Sequence, residues 1–522
     1  MTLLLTALGA LLRFSALSRQ SFWYDEAMSV ALARNGIGDL LSGRVRERGN
    51  PPLYPVLLHL WSSVFGNSDG AVRALSALLG TLTIPVFVAL GRKVLPGKVA
   101  FVAGTLLAIS PFHLQMAQEA RAYTLLALLG TLATYALVKA TEGASVVATR
   151  KTDGAADPVP TGWSALWPWL LLAASTAAMA LTHYFGFFLA LAHALYLVTA
   201  YRRNGRVLLW GTGTYVLSAA IFAFWLPSLF AQLGVQGNLA RSAESWHLHL
   251  VATPLVFAFG TTLVWKDSAA LPRLILGGLG ALTFAGVAGL GLYRAFRRRG
   301  GFSPDATDVP APSVPTTRLL ILWLLLPVLI PAVISVLASP LYNTRYVILA
   351  SLPFCYFAAA GLLELPQWLR TAAGGLVAIA MGASTLSYLS RPVKHQWREA
   401  AAFVEAVRKP DDLLLFNADY NETAYAHYAG AAATTAPRYR LLPGPGAAGD
   451  AAQPQLFGAA GVGAETETLA GKLKERGRVW LIAADPDRDV AAETERFFAA
   501  GWTPRQDTSV RGIRVQLFER AP

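Results

Sequence analysis

Residues 319–338 read LLILWLLLPVLIPAVISVLA, a run without a single charge. About 20 helical residues cross the hydrocarbon core of a bilayer, so this run predicts a transmembrane helix. Runs of the same kind recur on both sides of it, from the N-terminus to about Leu389. They predict about eleven spans, near 1–18, 71–91, 98–113, 122–140, 163–182, 185–201, 207–227, 274–296, 318–338, 346–364 and 372–390. The first run, Met1–Leu17, lacks a basic leader and is interrupted by Arg13. It therefore reads as a span and not as a signal peptide.

Composition agrees. The 522 residues are 54% hydrophobic and 14% charged, with a mean hydropathy of +0.44. A soluble domain carries roughly 25% charged residues. After Leu389 charges become frequent, as at Lys394, Arg398, Glu399, Asp411 and Asp412. Two domains follow: a membrane body over 1–390 and a soluble domain over 391–522. The net charge of +13 sits in short connections between spans, which marks topology and argues against a nucleic-acid partner. The single cysteine, Cys355, permits no internal disulfide.

The basic connections hold Arg92, Lys93 and Lys98; Arg150 and Lys151; Arg202, Arg203 and Arg206; Arg294 and Arg297–Arg299; and Arg370. Positive charge marks the cytoplasmic side. The outward side then receives 19–70, 114–121, the turn at 183–184, 228–273, 339–345 and everything after 390. The linkers 141–162 and 297–317 are rich in Gly, Pro, Ala, Thr and Asp and read as flexible connectors. The Gly-rich run 286–291 reads as a place where helices pack closely. In the C-terminal part, helical patterns at Glu399–Val407, Glu422–Tyr428 and Ala491–Ala500 alternate with strand patterns at Leu413–Phe416, Val479–Ala483 and Val515–Phe518. That alternation predicts a small α/β layer. Asp419 and Asn421 follow a strand end and read as cap and turn.

Chemistry-bearing residues gather on the outward side. Phe22-Trp23-Tyr24-Asp25-Glu26 lies just beyond the first span. Its aromatics suit the membrane interface. Its acids suit a general base or ligands for a divalent metal, the alternative being that Asp25 caps a helix over 27–34. Asn50-Pro51-Pro52-Leu53-Tyr54 opens an amphipathic stretch, Pro55–Phe65, expected to lie along the interface. Two arginines break the charge rule: Arg121 in Gln118-Glu119-Ala120-Arg121-Ala122-Tyr123, and Arg345 in Tyr342-Asn343-Thr344-Arg345-Tyr346. Guanidinium groups bind phosphate oxygens bidentately, and the competing account is snorkelling to headgroups. His183-Tyr184 occupies an outward turn, as a substrate contact, a metal ligand or a structural residue. The segment 228–273 holds Glu244, His247, His249 and Lys266. The two histidines have a weak metal spacing, and the apolar stretch 250–265 reads as a re-entrant or interfacial helix.

These residues, in this order, resemble the GT-C superfamily of polytopic glycosyltransferases. The likeness is greatest to the bacterial branch related to protein O-mannosyltransferases and lipid A aminoarabinose transferase. It rests on Trp23-Tyr24-Asp25-Glu26-Ala27, Asn50-Pro51-Pro52-Leu53-Tyr54, Ser110-Pro111-Phe112-His113 running into Gln118–Tyr123, His183-Tyr184-Phe185-Gly186, and Arg345-Tyr346 before Pro353. It implies an α-helical polytopic membrane protein with a small extracytoplasmic C-terminal α/β domain, in the bacterial cytoplasmic membrane. It implies transfer of a hexosyl or pentosyl group from a polyprenyl-phosphate donor to a lipid, glycan or protein acceptor. Asp25 would be the catalytic carboxylate and Glu26 its neighbour. Glu119, Arg121, Tyr123, His183, Tyr342, Arg345 and Tyr346 would bind substrate, with Arg345 on the donor phosphate. A divalent metal (Mg, Mn, Ca or Zn), if used, would fall to Asp25, Glu26 and Glu119. Two other functions share the outward arginines: a ligase of polyprenyl-linked glycans, and a transporter or flippase of lipid-linked sugars. The second needs internal repeats or midplane charges, and only Arg13 offers one.

Overall fold

A computed structural model describes residues 1–46, 50–149, 163–235, 246–260, 271–297, 316–338, 340–416, 419–435, 438–442, 455–458, 467–468, 476–484 and 501–521. They form two compact units. The larger comprises Met1–Leu17 and Leu32–Ser390, and the smaller comprises Ser18–Ala31 and Arg391–Pro522.

The helices up to Ser390 are α1 (Thr2–Phe14), α2 (Tyr24–Ala33), α3 (Ile37–Ser42), α4 (Leu53–Phe65), α5 (Asp69–Val94), α6 (Gly97–Ile109), α7 (Pro111–Ala117), α8 (Tyr123–Thr149), α9 (Trp163–Ala180), α10 (Gly186–Tyr201), α11 (Gly205–Phe222), α12 (Leu226–Val235), α13 (Trp246–Phe259), α14 (Leu271–Arg297), α15 (Thr316–Leu337), α16 (Ile348–Glu364) and α17 (Gln367–Ser390). Six segments are long and apolar enough to cross a bilayer, and the bent pair α6–α7 makes a seventh. The chain is a multi-pass membrane protein. The expected spans at 1–18, 185–201 and 346–364 are shorter apolar helices, so length does not fix the count at eleven. α8 runs on through residues 141–149, which the sequence suggested were connector. Glu244, Lys266, the helix expected at 491–500 and most of both linkers lie outside the described residues.

The expected span 98–113 is broken. α6 and α7 meet at 53°, across Ser110-Pro111. Proline lacks an N–H and its ring excludes the preceding helical turn, so the regular bonding of the last α6 carbonyls is lost and that of Leu107 keeps only a long bond from the Ser110 N–H at 3.4 Å. Arg13 answers them. Its guanidinium donates to the carbonyls of Leu107 (3.1 Å) and Ala108 (3.0 Å) and to Gly9 of its own helix (3.1 Å). It is 1% exposed. The Ser110 hydroxyl caps α7 by accepting the His113 N–H at 3.3 Å. Arg13 thus neither snorkels nor floats as a midplane charge; it repairs a helix break where water is absent.

Helices in lipid gain little from hydrophobicity alone and pack through small residues. A side chain on Gly361 would run into the Val287 carbonyl, and one on Gly291 into the Phe357 carbonyl. α14 and α16 therefore touch backbone to backbone. Of the Gly-rich run, Gly291 carries this approach, whereas Gly286 and Gly289 meet nothing within 4 Å. On the other side of α16, Tyr356 stacks on Phe87 of α5 at 4.1 Å and donates to the Phe87 carbonyl at 2.6 Å.

The smaller unit holds α18 (Trp397–Val407), α19 (Asp419–Thr435) and a sheet of β1 (Leu413–Phe416), β2 (Arg438–Leu442), β3 (Gln455–Gly458), β4 (Glu467–Thr468), β5 (Arg478–Ala484), β6 (Trp502–Val510) and β7 (Ile513–Arg520). The order is β4-β3-β2-β1-β5-β7-β6. β1 is central, fully buried and parallel to both neighbours, with Leu413 opposite Val479. The remaining pairings are antiparallel. α18 buries Trp397, Ala400, Ala401 and Val404. Asp412, at the start of β1, is held by Trp480 Nε1 at 2.8 Å and Arg478 Nε at 3.0 Å.

Two substitutions test the packing of the larger unit. Arg13→Met strands the buried Ala108 carbonyl, at about 1–3 kcal/mol, and leaves that of Leu107 with the Ser110 N–H alone at 3.4 Å. Gly361→Val forces α14 and α16 apart, at about 1–3 kcal/mol. Both should lower the unfolding midpoint of detergent-purified protein. Wild-type midpoints in both would refute this account of the packing.

Candidate functional site

The larger unit carries most of the expected site residues, on the connections at 118–122, 181–185 and 340–347. The first is fixed by α1. The Gln118 side-chain amide donates to the Arg13 carbonyl (3.2 Å) and the Ser15 carbonyl (2.6 Å), occupying acceptors that the end of a helix leaves open. Further along, the Ser76 hydroxyl donates to the Arg121 carbonyl at 3.2 Å and bonds the Tyr54 hydroxyl at 2.9 Å. That links the expected 50–54 motif to the arginine loop.

Glu119 and Arg121 are both 6% exposed. The Arg121 N–H donates to the Glu119 carbonyl at 2.8 Å, and the guanidinium carbon lies 6.0 Å from the Tyr123 ring centre. One carboxylate oxygen of Glu119 is buried with no hydrogen-bond partner. Leaving such an acceptor unsatisfied costs about 1–3 kcal/mol, more for a charge.

Tyr123, His183, Phe185 and Tyr346 form an aromatic cluster. His183 is 5.1 Å from Tyr346 and 6.3 Å from Tyr123, and Phe185 is 5.4 Å from Tyr346. The Phe185 N–H donates to His183 Nδ1 at 3.2 Å. With Nδ1 an acceptor, the neutral ring carries its proton on Nε2. Burial first, and then the charge of Arg121, push the His183 pKa down to about 3. His183 is therefore a neutral hydrogen-bond donor over the physiological range. The turn also receives the 50–54 motif: the Leu53 N–H donates to the Leu181 carbonyl at 3.0 Å. Gln232 joins it by accepting from the Tyr184 hydroxyl and donating to the Asn50 carbonyl.

At 340–347 the expected residues part company. Tyr346 joins the cluster. Tyr342 turns to α13, where its hydroxyl bonds Thr253 Oγ1 at 2.8 Å, and burial pushes its pKa up to about 12. The Thr344 hydroxyl donates to the His249 carbonyl at 3.1 Å, and the Arg345 N–H to Asn343 Oδ1 at 3.0 Å. The apolar stretch expected around 250 is the helix α13, which ends at Phe259.

The acidic pair belongs to the smaller unit. The N–H groups of Glu26 and Ala27 both donate to the Trp23 carbonyl at 3.1 Å. Trp23 is thus the cap position of α2, and Asp25 sits inside its first turn, partly exposed. A capping role for Asp25 is corrected accordingly. Glu26 does the capping instead. Its Oε2 accepts from the Trp23 N–H at 3.4 Å and from Lys394 Nζ at 2.9 Å, and it is fully buried. The Gln20 side-chain oxygen accepts the N–H groups of Val393 and Lys394, both at 3.2 Å. The Ser21 hydroxyl donates to Glu399 at 2.8 Å. Phe22 packs on His427 at 4.7 Å, and its N–H donates to the Tyr428 hydroxyl. Lys394 belonged to no motif, and Gln118 stood in one without an assigned role; the partners of both are distant in sequence.

Taken by itself, the acidic pair does not fit a divalent ion. Calcium and magnesium take six or more oxygens, whereas Glu26 is already bound by an ammonium group and a helix N-terminus. Among the described residues, no group of three His, Cys, Asp or Glu side chains could hold a metal, and that includes His247 and His249.

Residues 49–148 match the family model for dolichyl-phosphate-mannose-protein mannosyltransferase. No curated protein sequence matches the chain closely. Among solved structures, apo ArnT from Cupriavidus metallidurans is similar at a TM-score of 0.59 and 14% identity, over 99% of this chain and 97% of that one. The same protein bound to undecaprenyl phosphate gives 0.56 and 14%, with the same coverage. In fold, then, the chain resembles the GT-C polytopic membrane glycosyltransferases, with ArnT similar to it end to end.

Proposed function

We propose that this protein is a glycosyltransferase that moves a hexosyl or pentosyl group from a polyprenyl-phosphate donor to an acceptor hydroxyl, on the outer face of a bacterial cytoplasmic membrane. The observation that carries this is the 118–122 loop: a multi-pass membrane protein buries Arg121 there, together with a Glu119 carboxylate oxygen that has no hydrogen-bond partner. Ionisable groups buried beside membrane-spanning helices are costly and mark sites of function. The fold likeness to ArnT, one form of which is bound to undecaprenyl phosphate, supports the donor class.

Roles follow from chemistry. Arg121 and Arg345 bind the donor phosphate through paired N–H groups. The Nε2 proton of neutral His183 supplies a further donor. Tyr123 and Tyr346 offer ring faces and hydroxyls to the sugar, and Glu119 takes a hydrogen bond from a substrate hydroxyl. Tyr342 supports the 340–347 connection through Thr253. The acceptor oxygen bonds to the anomeric carbon as the bond from that carbon to the phosphate oxygen breaks. Polyprenyl phosphate departs with the electron pair, and the arginines stabilise its charge. Asp25 takes the acceptor's proton as general base. Glu26 holds the turn that presents Asp25. No step here is routed through a metal.

Two measurements test this. Purified protein supplied with a panel of polyprenyl-phosphate monosaccharides and membrane-extract acceptors should release polyprenyl phosphate. Asp25→Asn should fold normally yet lose about 100- to 10,000-fold in rate, and full activity in that variant would remove Asp25 from the reaction. The second is acid stability. His183 binds its proton far more weakly when folded, so the unfolded state binds more protons between about pH 3 and pH 6.5. Stability is complete above that window and drains as pH falls through it. His183→Gln should flatten this part of the stability profile, and an unchanged profile would contradict the burial of a neutral ring.

A further inference from the structure

We infer that Lys394 is the built-in cation of the acidic pair, standing where a divalent metal would otherwise neutralise it. Its effect on transfer rests on the function proposed above; its effect on metal binding does not.

Adjacent carboxylates at the edge of a membrane repel one another, and a buried one is expensive unless paired. A bound divalent ion is one remedy, and a lysine is another. Here Lys394 Nζ lies 2.9 Å from Glu26 Oε2, with the lysine side chain 9% exposed and the glutamate side chain 0% exposed. The lysine is itself held in place: its backbone N–H, with that of Val393, is gripped by Gln20. Gln20 lies on the same short segment as Glu26, so the cation and the carboxylate are oriented by one structural element. The same Glu26 oxygen faces the Trp23 N–H at the start of α2. The ammonium group and the start of α2 thus both face this carboxylate, and each favours its charged form. Lys394 is a positioning residue in this scheme. It holds Glu26, Glu26 holds the first turn of α2, and that turn carries Asp25.

Two consequences separate this from a merely structural ion pair. The wild-type pair needs no divalent ion, and removing the lysine frees Glu26 to take one. The test uses full-length protein stripped with chelator, with unfolding midpoints measured with and without MnCl2. Wild type and Lys394→Arg should respond alike. Lys394→Met should be less stable without metal and should gain several degrees with Mn²⁺ beyond the wild-type response. Adding Glu26→Gln to that variant should abolish the extra gain. Should Lys394→Met fail to fold without metal, recovery of folded protein in Glu26→Gln/Lys394→Met, a neutral pair of similar shape, supports the assignment equally. A Lys394→Met response equal to wild type overturns it. So does a wild-type Mn²⁺ response that Glu26→Gln removes, which would make Glu26 a metal ligand despite the lysine.

With an active donor in hand, Lys394→Met should lower kcat about 10-fold or more with little change in KM, because the base is misplaced. Lys394→Arg should keep most of kcat. If wild type turns over no polyprenyl-phosphate sugar, the functional reading falls, and the Mn²⁺ comparison still decides the role of Lys394.

Discussion

Arg13 against the carbonyls of Leu107 and Ala108 is the contact on which the larger unit turns. A helix can be broken within a membrane only where another group takes up the stranded backbone, and here one side chain takes up two carbonyls. The break frees the chain to turn by 53° into α7. α7 ends one residue before Gln118, which closes the end of α1 in return. The loop bearing Glu119 and Arg121 is thus clamped by α1 on one flank and continues into α8 on the other. Such a loop keeps a guanidinium and a carboxylate in place without help from a ligand, and reacting groups must be held to within a fraction of an ångström.

The smaller unit solves the same problem by a different means. Its acidic turn is tied down by hydrogen bonds to residues more than 350 positions later, at Val393, Lys394, Arg398 and Glu399. The segment 18–31 is covalently part of the first loop, yet it packs as part of the C-terminal fold. A truncation that removed residues after 390 would therefore unseat Glu26 as well as the sheet.

Much of this was legible in the sequence. Apolar runs placed most of the helices because helices among lipid keep apolar side chains around them, although their lengths vary. β1 matched its strand pattern because it is buried on both faces. Arg121 and Arg345 stood out because they break the charge pattern of the short connections. What stayed hidden has physical causes. The edge strand β6 is Thr-Pro-Arg-Gln-Asp-Thr-Ser between Trp502 and Val510, polar on both faces, and carries no alternation to find. The break after Ile109 was masked by an apolar run that continues across it. Arg13 looked like an anomaly because its partners lie 94 and 95 residues away. Tyr342 and Tyr346 share one motif, and only the backbone path between them sends one to Thr253 and the other to His183.

The two cations sit in different surroundings. Lys394 Nζ lies against a Glu26 carboxylate oxygen at 2.9 Å, a contact that a compact point charge can make. Arg121 sits over an aromatic ring, an arrangement that suits a flat, weakly hydrated guanidinium better than an ammonium. A lysine at 121 would keep the charge and lose the geometry. An arginine at 394 keeps both charge and reach, because a fork can always present one prong.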